Sequence, residues 1–166
     1  MGRRLTRIAG GLAGLVVVLA VAVAAIGREQ TLVLLFGPID TTAVSFATLV
    51  PSQRPNRFLV CPDDYCRASA DLPSPIYKTP AAALRDRWLG MISRQPRVER
   101  TRISADGMQF DFVQRSWLLR FPDTITVRFI DLDDGRSTLA VYSRSHYGHS
   151  DLGVNRQRIK AWLAAL

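Results

Sequence analysis

The longest apolar segment of the chain lies near its N-terminus and constrains where the rest of the protein can fold. Residues 8–27 (IAGGLAGLVVVLAVAVAAIG) carry no charged side chain, and Arg3, Arg4 and Arg7 precede them. At a rise of about 1.5 Å per residue, a helix of this length crosses roughly the 30 Å hydrocarbon core of a bilayer. The segment therefore predicts one N-terminal transmembrane helix that contacts the lipid bilayer through residues 8–27.

The charges on either side of this segment predict its orientation. Three arginines precede it, whereas Arg28 and Glu29 nearly cancel behind it. The positive-inside rule then keeps the N-terminus in the cytoplasm and places the C-terminal domain on the extracytoplasmic side of a bacterial inner membrane. The alternative is a cleaved signal peptide, since residues 22–24 (Ala-Val-Ala) have the small-x-small form. The apolar core of a signal peptide usually has about 7–15 residues, which favours an uncleaved anchor.

Composition divides the remaining chain into a short connecting segment and one domain. Residues 31–36 are apolar and are followed by Gly-Pro, and residues 51–56 (PSQRPN) are typical of a linker. We therefore expect an anchor with a short cytoplasmic tail at 1–30, a membrane-proximal segment and linker at 31–56, and an exported domain at 57–166. The domain is long enough to bury one core.

The net charge limits the classes of partner. The whole chain carries +8, and without its first three arginines 19 basic residues face 14 acidic ones, a net of +5. The basic residues are dispersed and are not interleaved with aromatic ones, so we expect no nucleic-acid binding. An anionic ligand or an envelope protein partner remains compatible with this charge.

Hydrophobic periodicity predicts two helices. A helix over about 80–95 is indicated by Thr79-Pro80, with the hydroxyl as N-cap, and by an apolar face at Leu84, Trp88, Met91 and Ile92. A second helix is predicted over about 152–166. Its expected apolar stripe is Leu152, Ile159, Leu163 and Leu166.

Between these helices the period changes to two, which is typical of strands. Alternating apolar residues occur in four stretches, over about 98–104, 108–113, 125–129 and 139–143. Asp106-Gly107 and Asp134-Gly135 predict tight turns, and Pro122-Asp123 predicts a break. A short strand over 57–60 is also compatible with the pattern. The predicted fold is α+β: an antiparallel sheet of about four meandering strands, covered on one face by two helices that bury Trp88 and Ile159.

The two cysteines lie in a short loop, CPDDYC. In an exported domain, Cys61 and Cys66 are expected to form a structural disulfide. A redox-active pair is the alternative, but the CxxC spacing is absent. A zinc site made of Cys61, Cys66, His146 and His149 is a second alternative, although the histidines lie only three residues apart. We expect no cofactor and no metal.

The densest polar run is SRSHYGHSDLGVNRQRI, directly before and within the last predicted helix. Ser150 or Asp151 can cap that helix. The same run can instead bind an anion at the helix start. The residues of this tentative binding site are Arg144, Ser150, Asp151, Asn155, Arg156 and Arg158. A catalytic triad drawn from Ser143, Ser145, His146, His149, Ser150 and Asp151 is disfavoured, because sequence neighbours rarely converge and no GxSxG motif is present.

This polar run resembles a bacterial family, the domain of unknown function 1499, whose members show Ser-Arg-x-x-x-Gly-x-Ser-Asp-x-Gly-Val-Asn-Arg-x-Arg before a final helix. The matching positions here are Ser143, Arg144, Gly148, Ser150, Asp151, Gly153, Val154, Asn155, Arg156 and Arg158. The similarity extends upstream through residues 35–37, 46–49, 55–56, 61–66, 74–75, 113–116 and 120–123. The resemblance implies no specific activity, and the family does not require histidine at 146 or 149.

Together these features favour a membrane-anchored envelope protein whose exported domain binds a ligand or partner non-catalytically. The alternative is an envelope hydrolase that uses Asp123 or Asp151 with nearby arginines. Two titratable groups converging in a cleft would favour the enzyme, and a capped, salt-bridged surface would favour the binding module.

Overall fold

The computed structural model describes residues 14, 16–18 and 20–166. Part of the predicted anchor, residues 8–13, 15 and 19, lies outside these described residues. Two helices precede the domain, α1 (Val16–Ile26) and α2 (Arg28–Phe36). Neither described helix is long and apolar enough to cross a membrane alone. Together the two helices have the length and the apolar composition of one membrane span, but the chain bends by 104° between them.

The remaining residues, from Asp40 to Leu166, form a second unit built on one sheet. This unit starts before residue 57, where the sequence analysis places the domain boundary. Six strands run in the spatial order β2-β1-β6-β5-β4-β3, and every neighbouring pair is antiparallel except β1 with β2. The strands are β1 (Arg57–Cys61), β2 (Leu72–Pro73), β3 (Val98–Ile103), β4 (Gln109–Arg115), β5 (Pro122–Asp131) and β6 (Ser137–Ser145).

The prediction of about four strands was therefore too low. β1 is buried on both faces, so its continuous apolar sequence carries no period-two signal. β2 is a two-residue edge strand, too short for any periodicity. The expected break at Pro122-Asp123 is also wrong, because Pro122 is the first residue of β5 and pairs with Arg115. A proline is tolerated at a strand start.

Two helices cover one face of the sheet, α3 (Ala81–Ile92) and α4 (Val154–Ala164). Trp88 and Ile159 are completely buried against the strands, as predicted. Trp88 contacts Phe129 of β5 and Trp162 of α4 edge-on, with ring centroids 6.1 and 5.8 Å apart. Burial of such side chains is the main stabilising contribution to this layer.

The starts of both helices differ from the prediction. Thr79 does not cap α3. Instead, the backbone N–H of Ala81 donates to Asp131 Oδ1 at 2.7 Å, so the cap comes from the far end of β5. At the start of α4, Leu152 is 89% exposed and is not part of the apolar stripe, whereas Trp162 is buried.

The opposite face of the sheet is covered by irregular chain. Phe46 packs against Leu59, Ala140 and Tyr142 of the sheet. The predicted disulfide between Cys61 and Cys66 is present beside this cluster, with a Cα–Cα distance of 6.2 Å. Residues 40–50 and the disulfide loop thus replace a second helical layer.

Candidate functional site

The polar run before α4 folds into a cluster of hydrogen bonds around Asn155, which is completely buried. Its Nδ2 donates to the backbone oxygen of Asn56 at 3.2 Å, to Ser145 Oγ at 3.1 Å and to Asp151 Oδ2 at 2.7 Å. Its Oδ1 accepts from Ser143 Oγ at 2.5 Å. A buried carboxamide is stable only when it is hydrogen-bonded in this way.

Arg158 and Asp123 form the ionic part of the same cluster. Arg158 Nη2 donates to Asp123 Oδ2 at 2.5 Å, and the two side chains are 9% and 13% exposed. Arg158 Nη1 also donates to Asn155 Oδ1 at 2.6 Å, and Ser145 Oγ donates to Asp123 Oδ1 at 2.5 Å. Both carboxylate oxygens of Asp123 therefore already accept a hydrogen bond within the domain.

Asp151 caps α4, as the sequence predicts. Its Oδ1 accepts from Gly153 N–H at 2.9 Å and its Oδ2 from Asn155 N–H at 2.8 Å. Ser150 Oγ accepts from Leu152 N–H at 3.2 Å in the preceding turn. The anion at the start of this helix is thus the side chain of Asp151 itself, and these two amide groups are satisfied internally.

The other two predicted site residues lie elsewhere. Arg144 lies on the sheet face opposite α4, because side chains alternate along a strand and Ser143 and Ser145 face the helix. Its Nη2 donates to Asp40 Oδ2 at 2.9 Å, and its guanidinium lies 5.8 Å from the Tyr142 ring centroid. The guanidinium of Arg156 lies 5.4 Å from the Phe58 ring centroid. The six residues therefore do not converge on one site.

These contacts predict different stabilities for two neighbouring variants. Asp151→Ala removes a cap and a partner of Asn155, so we expect the free energy of unfolding to fall by about 1–2 kcal/mol. Arg156→Ala removes only an exposed cation–π contact, worth about 0.5–1 kcal/mol. Urea unfolding of residues 40–166 measures both values. A larger loss for Arg156→Ala than for Asp151→Ala would contradict the assigned roles.

The zinc and triad alternatives are not supported by the geometry. Cys61 and Cys66 are bonded to each other. Among the described residues, no group of three or more histidine, cysteine, aspartate or glutamate side chains is placed to hold a metal ion. His146 contacts Thr124 Oγ1 through Nε2 at 3.1 Å, and its Nδ1 accepts from Asp40 N–H at 3.4 Å.

The environment of His146 predicts a pH dependence. Burial lowers its pKa, and the nearby Arg144 guanidinium lowers it further, against the opposing effect of the Asp40 and Asp123 carboxylates. The folded state therefore favours neutral imidazole. This contribution to stability is complete above the unfolded pKa of about 6.5 and is lost as the pH falls below it. Hydrogen bonds from Thr42 lower the pKa of Asp40 to about 2, so the contribution of Asp40 is lost only at a lower pH, below about 4.

We therefore expect the melting temperature to fall between about pH 7 and pH 5, and His146→Gln to flatten this slope. The exposed His149 provides the matched control, since His149→Gln should retain the wild-type slope. Thermal melts at a series of pH values measure the effect. An unchanged slope in His146→Gln would show that another group is responsible.

A groove opens beside the polar cluster, between α4, β4 and residues 95–97. Its volume is about 470 Å³. The lining combines apolar surface with guanidinium, carboxamide and hydroxyl groups that can donate hydrogen bonds. The lining residues are Gln95, Arg97, Gln114, Arg115, Ser116, Asp123, Val154, Gln157, Arg158, Ala161 and Trp162. Three arginines and one aspartate give this lining a formal charge of +2.

A smaller cavity, of about 180 Å³, lies on the opposite face. Two arginines and two aspartates contribute to its lining. Arg144 pairs with Asp40 at 2.9 Å, and Arg102 Nε lies 3.6 Å from Asp111 Oδ2. The charges of this cavity are therefore balanced, unlike those of the groove.

Sequence reasoning found only part of the groove. Asp123 and Arg158 were singled out, whereas Arg97 and Arg115 were not, because they lie far from the polar run in the chain. Arg97 Nε donates to the backbone oxygen of Arg115 at 3.0 Å, which joins these two residues at the rim. The one available signal was the family-like stretch 113–116, which contains Gln114, Arg115 and Ser116.

Comparison with protein families gives one result for this chain. The family model "Protein of unknown function (DUF1499)" matches residues 49–166, which include every strand and both covering helices of the domain. No curated protein and no solved structure shows a significant match. Because the family model covers well over half of its length, the chain belongs to the DUF1499 family.

Proposed function

We propose that this protein is a single-pass envelope protein whose exported domain binds an anionic ligand non-catalytically in the groove beside α4. One observation carries the proposal: three arginines line one groove with a single carboxylate, and that carboxylate is already paired with Arg158. The excess of guanidinium groups over carboxylates in the lining attracts anions.

The chemistry of the lining indicates the class of ligand. Guanidinium groups bind phosphates and carboxylates through two parallel N–H donors, and such charge-assisted hydrogen bonds are stronger than neutral ones. The carboxamides of Gln114 and Gln157 and the hydroxyl of Ser116 add neutral polar groups. The groove volume of about 470 Å³ is in the range of small-molecule sites.

The membrane part of the proposal rests on the N-terminal sequence. Residues 8–27 are apolar and follow three arginines, which favours insertion with the N-terminus in the cytoplasm. The domain would then lie on the extracytoplasmic side of the inner membrane. A disulfide at Cys61–Cys66 is compatible with that oxidising compartment.

A hydrolase that uses Asp123 or Asp151 is the second candidate. Asp123 does line the groove, which favours this reading. Its oxygens, however, accept hydrogen bonds from Arg158 and Ser145, and those of Asp151 hold the start of α4. A general base must be free to take a proton from a substrate or water, so these contacts favour structural roles.

Binding of simple anions tests the proposal. The full chain in detergent is titrated with inorganic phosphate and with succinate, as phosphoryl and carboxylate ligands. We expect Arg97→Gln combined with Arg115→Gln to weaken binding by more than about 100-fold, because two charge-assisted hydrogen bonds of about 1.5–3 kcal/mol each are lost. Arg85→Gln is the matched control, since Arg85 lies on α3 and pairs with Asp86.

Equal affinity in the double variant and the control would contradict the proposal. So would turnover of a phosphate ester by the full chain that disappears in Asp123→Asn, and this outcome would favour the hydrolase. Arg158 is not used as a test position, because its replacement is expected to destabilise the domain.

A further inference from the structure

The loop between β4 and β5 exposes three consecutive large apolar side chains. Trp117, Leu118 and Leu119 are 74%, 61% and 52% exposed, and we call these residues the 117–119 tip. Backbone hydrogen bonding closes the hairpin below them: Ser116 N–H donates to the Phe121 oxygen at 2.9 Å. A contiguous apolar patch held on an ordered hairpin is typical of an interaction surface.

The 117–119 tip lies at the same end of the sheet as the N-terminal entry of the chain into the domain. β4 ends, β5 begins and β6 ends at one end of the sheet, where Arg115 pairs with Pro122 and Thr124 with Arg144. The tip projects from that end. Asp40, the first residue of the domain unit, is bonded to Arg144 at the same end. The chain therefore enters the domain at the end of the sheet that carries the tip.

The covalent connection from Asp40 to the preceding apolar helix is short. Only residues 37–39 separate Asp40 from Phe36, the last residue of α2. At about 3.3–3.6 Å per extended residue, the four steps cover roughly 14 Å at most. The predicted anchor ends at residue 27, so α2, about 14 Å long, and this connection together tether the tip end of the domain within roughly 30 Å of the bilayer surface.

The charges around the tip match a bilayer. Arg115 and Arg120 flank the three apolar residues, and the stretch 115–121 (RSWLLRF) contains no acidic residue. Tryptophan is enriched at membrane interfaces because its ring is apolar and its N–H is polar. Basic residues beside it favour anionic headgroups by about 1 kcal/mol each near the surface.

We propose that the 117–119 tip inserts into the boundary between headgroups and acyl chains of the bilayer that anchors this chain. The inference rests on the membrane anchor of the proposed function and adds a second contact to it. Since Arg115 and Ser116 also line the groove, an inserted tip places the groove at the membrane surface.

The tryptophans of the chain make this insertion measurable. Trp88 and Trp162 are buried, and the segment 8–27 contains none, so Trp117 is the exposed one of three. The full chain is reconstituted into vesicles of phosphatidylcholine and phosphatidylglycerol, with and without bromine on the acyl chains. Bromine quenches tryptophan emission only at close approach. We expect the brominated vesicles to remove roughly a third of the wild-type emission, the share of one tryptophan in three.

Two variants separate the possible outcomes. Trp117→Phe should abolish the quenching, and Trp88→Phe, the matched control at a buried position outside the groove, should retain it. Equal quenching in wild type and Trp117→Phe would overturn the proposal, as would full access of aqueous acrylamide to Trp117 in vesicles. Protection of Trp117 that depends on protein density and not on bromine would assign the tip to a second copy of the chain instead, and would also overturn it.

Flotation distinguishes failure of this inference from failure of the anchor. If the chain floats with the vesicles and Trp117 is not quenched, insertion of the tip is refuted and the anchor stands. If the chain does not float, both are refuted. Vesicles of phosphatidylcholine alone should reduce the quenching, because they lack the anionic headgroups that attract the basic stretch 115–121; equal quenching in them would refute this electrostatic contribution.

Discussion

Replacing Arg158 by alanine is expected to lower the free energy of unfolding of residues 40–166 by about 3–5 kcal/mol, as breaking a buried ion pair typically does. The variant leaves Asp123, which is 13% exposed, without its ionic partner, and it also removes a donor to the buried Asn155. Urea unfolding monitored by circular dichroism measures the change.

Two further variants test the physical reason. Arg156→Ala, two residues earlier on α4, is the matched control and should cost less than about 1 kcal/mol. Combining Asp123→Asn with Arg158→Met should be less damaging than Arg158→Ala alone, because no uncompensated charge remains buried. A loss below about 1 kcal/mol for Arg158→Ala would show that Arg158 is not structural, and would return it to the set of ligand-binding candidates.

Trp88→Ala is expected to have a comparably large effect, a loss of about 3–5 kcal/mol. Trp88 is completely buried where α3, α4 and β5 meet, and it contacts Phe129 and Trp162. Its removal leaves a cavity that rigid neighbours cannot fill. The midpoint of urea unfolding should fall while the slope stays constant.

Trp88→Phe should cost less, about 1–2 kcal/mol. The phenyl ring fills most of the space, and the substitution removes an indole Nε1–H that is buried without a hydrogen-bond partner among the described residues. Trp117→Ala is the matched control and should change stability by no more than about 0.5 kcal/mol, since that side chain is exposed. A small effect of Trp88→Ala would mean that the two helices are held mainly by other contacts.

Periodicity predicted the elements whose two faces differ. α3 and α4 each have one buried and one exposed side, and apolar residues alternate with others in the sequences of β4 and β5, so spacing located these elements. β6 was also predicted, although seven consecutive residues of it are buried. The short strand considered over 57–60 is confirmed as β1, although its buried apolar residues run without interruption and give no period-two signal. β2 has too few residues to show a pattern.

Local rules likewise predicted local contacts and missed distant ones. Asp151 was expected to cap α4 and does so, because donor and acceptor lie within four residues. The cap of α3 comes from Asp131, fifty residues along the chain, which no local pattern reveals. Thr79 satisfies the rule for an N-cap, yet a carboxylate delivered by the fold takes that place.

The candidate groove was harder still to predict, because its residues are distant from one another in the sequence. Arg97, Arg115 and Arg158 belong to three segments that only the folded sheet and α4 bring to one groove. One misplacement was avoidable: side chains alternate along β6, so Arg144 cannot face the same side as Ser143 and Ser145. The apolar residues of the loop 116–121 could equally belong to the core as far as the sequence shows. Only the structure reveals that Trp117, Leu118 and Leu119 are exposed.

The pairing of the first long strand with the last one has a consequence for how the domain is made. Arg57 of β1 pairs with Arg144 of β6, a separation of 87 residues, and β1 lies between β6 and the short β2. β1 therefore leaves the ribosome long before its partner strand exists. The hairpins from β3 to β6 can form as they emerge, but β1 must wait until residue 145 is available. Non-local pairing of this kind slows folding, so the domain is expected to complete its sheet only after synthesis is nearly finished.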